Sequence, residues 1–200
     1  VQTGMEMEVL SLQLEGFLGD AEAAAEAFET FPDIAANTPF NLQQVAQAGK
    51  IMLAFGMEAD QAMEATERLS IVAAATGGDI QLLGRNMGQI VAQGQAYTRD
   101  LTQFAIQGIP IWAELSTVTG ESVTALKQMA REGKIGASEV MAAMRNLTSE
   151  TSRCREIAER MQETFTGRLA KIEASFLKLA LAAIQNINNL DAALGGVVSG

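Results

Sequence analysis

Cys154 lies between Arg153 and Arg155, and nearby positive charge can favour the nucleophilic thiolate. On a helix, however, neighbours at i±1 do not face each other. An inert, partly buried cysteine is therefore the expectation. As the single cysteine of the chain it excludes an internal disulfide and a multi-cysteine zinc site, and it fits a reducing compartment. The chain has no histidine, which removes Ser-His-Asp and Cys-His catalysis and the commonest metal ligand. Glu6 with Glu8, and Glu156 with Glu159, have the residue type for acid–base cleavage of a glycan. Carboxylates are common, though, and a solvated surface is the simpler place for all four. Gly77-Gly78 and Gly195-Gly196 lack the Lys-Ser/Thr of a phosphate-binding loop and read as helix stops. Ile111 and Trp112, after Pro110, read as a core anchor rather than a ligand site. The expectation is no catalytic, cofactor-binding or metal-binding residue, no cofactor, and no enzymatic activity.

The elements that would carry these residues are helices. Of the 200 residues, 48% are hydrophobic, enough to bury a core, but only 5% are aromatic. The apolar content comes from Ala, Leu, Ile, Val and ten Met, and Ala, Leu and Met lose little rotamer freedom in a helix. Strand-favouring β-branched runs are scarce, so the fold class is all-α. The net charge of −10 is concentrated in residues 1–75, which hold 12 acids against Lys50 and Arg68. Residues 76–150 carry 7 acids and 6 bases, and residues 151–200 carry 5 and 6. An acidic first third repels phosphate, so nucleic acid is not an expected partner. The chain starts at Val1 rather than Met, which suggests a piece of something longer. No signal-peptide pattern is visible, and no window has the eighteen or so uninterrupted apolar residues of a spanning helix, so no membrane is expected through this segment.

Residues 5–14 alternate apolar and acidic residues with a slip at Leu10, which suits a short strand or a helix. A helix after Asp20 is expected to stop near Pro32. Asn41, with Gln44 three residues later and Phe40 and Val45 at the staple positions, marks the next start. Its apolar face runs Leu42, Val45, Ala46, Gly49, Met52 and Leu53, and Gly56 ends it. Further helices are expected from Met57 to about Ala75, from a cap at Asp79 to Gly94, over about 98–107, from Pro110 to Thr119, and from Ser122 to Glu132. Gly84 and Gly88, one turn apart, mark close packing of helices in a soluble core. Gly94…Asp100-Leu101 and Gly133…Glu139-Val140 echo each other at an offset of 39 residues, too few matches to establish a repeat. Ile135, Gly136, Glu139 and Val140 repeat the staple-and-cap arrangement. From about Thr151 the pattern changes to an apolar seam at Ile157, Met161, Phe165, Leu169, Ile172, Phe176, Leu179, Ala183, Ile187, Leu190 and Leu194. That predicts a multi-helix module of short glycine-punctuated helices over 1–150. A long amphipathic C-terminal helix follows over 151–200, free to pack on its own domain or to form an oligomeric coiled coil.

NTPFNLQQVAQAGKIMLAFG, from Asn37 to Gly56, resembles the opening signature of the tape measure domain of phage tail tape measure proteins. The family's order continues in the Ala-rich helix and glycine break from Ala73 to Gly78, in GQIVAQGQ from Gly88, and in QFAIQGIPI from Gln103. REGKIGASEV from Arg131 and ETFTGRLAKI from Glu163 follow in turn. The likeness spans Met5 to Ile172 and departs between Asn146 and Glu163, where the family often carries a Gly-Gly-x-Phe-like segment.

The resemblance implies a structural tail assembly protein that sets tail length and organises the tail tube. Its place would be the tube lumen of the virion tail, after synthesis in the host bacterial cytoplasm. Its partners would be tail tube, tail tip or baseplate hub, and tail assembly chaperone proteins, with a homo-oligomer as one option. The competing reading from the residues alone is a helical oligomerising adaptor or secreted helical effector.

Overall fold

Between Asn41 and Gly133 the helices begin and end within about two residues of the positions their caps and glycines predict. Asn41 Oδ1 accepts from the Gln44 backbone N–H at 2.9 Å, and Gln44 Oε1 accepts from the Asn41 N–H at 3.0 Å. This capping box opens α1, Leu42–Ala54, and such a cap contributes about 1 kcal/mol. Phe40 is half-buried and Val45 buried beside it. Gly56 takes the left-handed conformation at φ 82°. α2, Ala59–Thr76, ends on the left-handed Gly77. Asp79 then caps α3, Ile80–Gln93, accepting from Gln81 N at 2.8 Å and Leu82 N at 3.1 Å.

The structure is a computed structural model that describes Leu12, Glu15, Gly16 and residues 30–164. The chain divides into two compact units, Val1–Gln162 and Glu163–Gly200, and the helical core belongs to the first. After α3 come β1 (Gln95–Ala96), α4 (Thr98–Ile106), α5 (Ile111–Thr119), α6 (Val123–Arg131), β2 (Ile135–Gly136) and α7 (Ala137–Leu147). Residues 153–164 are helical again. The described fold is thus mostly helical, with one two-stranded addition. The seam positions from Phe165 onward lie outside the described residues.

α1, α2 and α3 pack on one another, and α5 packs on α6 and α7. The two groups join where α2 meets α7 and where α3 meets α4, and one continuous core runs from Phe31 and Ile34 to Met144 and Leu147. Gly84 and Gly88 serve this packing. A Cβ on Gly84 would lie 3.4 Å from the Ala48 carbonyl oxygen of α1, and one on Gly88 would lie 2.5 Å from the Phe55 ring.

Two expectations need correction. Residues 30–36 are helical, so the turn continues through Pro32 instead of stopping there. Proline removes a single N–H donor, and burial of Phe31 and Ile34 on the core holds the turn in place. The wholly helical reading also missed β1 and β2, which pair antiparallel with Gln95 opposite Gly136 and Ala96 opposite Ile135. Two residues per strand are too few to show period-two alternation. Of residues 5–14, only Leu12 is described, and it is helical and exposed.

The 39-residue echo has a geometric counterpart. Gly94 and Gly133 are both left-handed, at φ 73° and 64°. Each follows a helix and precedes a strand and a further helix. Ala96 and Ile135, equivalent under that offset, are both buried and face each other across the ladder. Leu101 and Val140 are likewise fully buried.

Candidate functional site

The groups with the most chemical potential gather where α2, α5, α7 and the helix from 153 approach one another. Cys154 lines a cleft of about 440 Å³ with Thr76, Pro110, Glu114, Asn146 and Ser152. Burial pushes its thiol above the ordinary value, and the negative charge of Glu114 pushes in the same direction. A thiol so placed holds little thiolate near neutrality and is a poor nucleophile. The flanking arginines do not reverse this. Arg153 is exposed, and Arg155 turns to donate from Nε to the Thr148 carbonyl at 3.0 Å. Asn146 Nδ2 donates to Glu114 Oε2 at 2.6 Å, which ties α7 to α5.

A second polar group joins α2 to α7. Arg145 donates to both carboxylate oxygens of Glu64, from Nε and an Nη, each at 2.7 Å. Arg68 donates to Thr148 Oγ1 at 3.3 Å, and its Nε lies 3.7 Å from Glu64, an ion-pair distance too long for a hydrogen bond. Hydrogen bonding to Arg145 is the main reason the Glu64 carboxyl sits below its ordinary value; burial opposes the shift, and the charges of Arg145 and Arg68 add to it. With Arg145 half exposed, the pair belongs to the surface class, worth up to about 1 kcal/mol. The folded pKa is lowered, so this contribution is present above the ordinary glutamate range, roughly pH 4–4.5. It is lost as pH falls through the folded value. Glu64→Gln is expected to lower stability slightly at pH 7, with the difference from wild type closing on acidification toward pH 3. Urea titrations of both proteins at each pH measure it, and a difference that widens in acid contradicts the assignment.

The other candidate residues are dispersed. Glu156 and Glu159 are exposed on the 153–164 helix, and Gly77 and Gly78 follow the end of α2. Ile111 is fully buried, while Trp112 is half-buried against the core with Lys127 Nζ 6.0 Å from its ring centroid. Glu6, Glu8, Gly195 and Gly196 lie outside the described residues. Among the described residues no group of three or more His, Cys, Asp or Glu is placed to hold a metal ion. No helix there is long and apolar enough to cross a membrane. The Glu64–Arg145 and Glu114–Asn146 pairs were not anticipated, because partners 81 and 32 positions apart leave no local spacing signal.

Among the described residues these polar groups hold helices together, joining α2 to α7 and α5 to α7. A family model described as "Tape measure protein" matches residues 1–186. No curated protein and no solved structure matches the chain significantly.

Proposed function

The chain belongs to the tape measure protein family, and from that premise we propose that its folded part is a docking module and its later seam the ruler. Membership makes it a structural component of the phage tail that acts, with other tail proteins, in determining tail length. The finer assignments are ours. Residues 1–150 form the helical tape measure domain, and residues 151–200 form the first stretch of a long amphipathic helix, a coiled-coil segment in the assembled tail. The protein is made in the host cytoplasm and enters the tube lumen. There it contacts tube, tip or baseplate hub and chaperone proteins, and it has no catalytic role.

The observation that carries this division is the punctuation of the described helices. α2, the longest among α1 to α7, has 18 residues, which span only ~27 Å at 1.5 Å per residue. Left-handed glycines at 56, 77, 94, 108, 120 and 133 stop the chain at each step, so this part cannot extend as a rod. The seam, by contrast, leaves apolar surface outside the module's core at its two described positions, with Ile157 half-buried and Met161 41% exposed.

Internal deletion separates the two roles. Removing 21 residues from 168–188 in the complete protein, three heptads, is expected to shorten tails by ~32 Å. Electron microscopy of purified tails gives the length distribution. An unchanged mean length would remove the seam from the ruler.

A further inference from the structure

Helix 153–164 is attached to the module differently from every other helix near it. Thr148 closes α7, its N–H reaching the Met144 and Arg145 carbonyls. Ser152 opens the next helix, its Oγ accepting from Arg155 N at 3.2 Å. Both sides of the 148–152 turn are thus capped from within, and parting them breaks no helical hydrogen bond. Ala158 is the single buried residue of the segment. Its apolar neighbours Ile71 and Ala74, with Phe40 beside them, form a small cluster separate from the main core. Cys154 is half-buried at the core's edge. Its polar ties include Arg155 to the Thr148 carbonyl at 3.0 Å, an ion pair from Arg155 to Glu67 at 3.8 Å, and Gln162 Nε2 donating to the Ala36 carbonyl. α7, immediately before it, instead buries Val140, Met141, Ala143, Met144 and Leu147.

We propose that residues 153–162 are a releasable strap, which docks on α2 through Ala158 and detaches as a unit while α1 to α7 stay folded. Buried apolar area sets how strongly an element is held, and here it amounts to one fully buried alanine methyl with the edges of the half-buried Cys154 and Ile157, against five buried side chains on α7. Weakly packed segments open below the global unfolding transition, in cooperative pieces. Release uncovers Ile71 and Ala74 on α2 and frees Cys154 from its cleft. The inference is independent of the tail role, because it concerns only how this segment is held.

Cys154, the single thiol, reports on the strap. Its alkylation by iodoacetamide is measured in the 200-residue chain at fixed pH, across urea concentrations below the global transition. Detachment predicts a rate that rises with urea much more weakly than the global unfolding constant does. It also predicts that Ala158→Glu accelerates alkylation by about tenfold or more while amide exchange in α1 to α3 is unchanged. Arg155→Gln, which keeps the apolar contact, gives a smaller acceleration and serves if the glutamate variant does not fold. A urea dependence equal to that of global unfolding overturns the proposal, because the helix is then part of the cooperative core. A rate indifferent to both substitutions overturns it too, because the thiol is then not protected by docking.

Discussion

Phe31→Ala is expected to destabilise the module by about 3–5 kcal/mol, the range for emptying a fully buried aromatic site. The ring is 0% exposed and rests on Gly49 of α1. A Cβ built on that glycine would lie 2.7 Å from both Cε1 and Cζ of Phe31 and 3.2 Å from Thr66 Oγ1. Two opposing effects then decide what Gly49→Ala does. Alanine gains about 1 kcal/mol over glycine inside a helix, and an extra methyl forced into a packed core costs about 1–3 kcal/mol. The buried ring has nowhere to retreat, so overpacking wins and Gly49→Ala alone destabilises. In a Phe31→Ala background the ring is gone and only the 3.2 Å approach to Thr66 Oγ1, a few tenths of an ångström too tight, opposes the helical gain of about 1 kcal/mol, so the same substitution becomes stabilising. A double-mutant cycle by urea denaturation reads this reversal of sign. If Gly49→Ala stabilises in both backgrounds, the ring is not seated on the glycine as described.

That contact also marks the limit of what the sequence makes legible. Gly49 falls on the expected apolar face of α1, between Ala46 and Met52, so its burial was readable. Its partner was not, because Phe31 comes from a segment that Pro32 was expected to terminate. The caps at Asn41 and Asp79 and the glycine stops at 56, 77 and 94 could be read directly. Each depends on residues within one turn of itself. Gly84 and Gly88 were read as a packing surface for a comparable reason, since a one-turn spacing puts both on one face. α7 is held against α2 and α5 by Val140, Met141, Ala143, Met144 and Leu147, and the Arg145–Glu64 and Asn146–Glu114 pairs that accompany this packing join positions that no periodicity links. The strands were hidden by brevity. Cys154 was assigned an inert place because its arginines sit at i±1; the cleft supplies a further reason, in burial and the charge of Glu114. On the 153–164 helix the seam reading chose Ile157 and Met161, whereas the residue buried against α2 is Ala158. An alanine carries too little apolar surface to stand out among larger neighbours.

Phe104→Ala is the substitution that should separate folding of the module from the measuring of length. Phe104 is fully buried in α4, the helix that meets α3, α5 and α6 and so joins both halves of the core. Its backbone carbonyl also accepts from Ile109 N at 3.1 Å, closing the turn into α5. Emptying the site costs about 3–5 kcal/mol, a large share of the 5–15 kcal/mol that holds an ordinary domain together. In the complete protein the unfolded population of the module then rises roughly 10²–10³-fold, and exposure to proteolysis rises with it. The number of residues in the chain, and hence any length it can measure, is unchanged. The expected result is fewer tails per infected cell, with those that assemble keeping the wild-type length. Quantitative electron microscopy of lysates counts both, and a temperature series sharpens the test because the deficit should grow on warming. The seam deletion predicts the opposite pattern, a normal count of shorter tails. Shortened tails from Phe104→Ala would show that the folded module itself contributes to the measured length, and the division into dock and ruler would have to be abandoned.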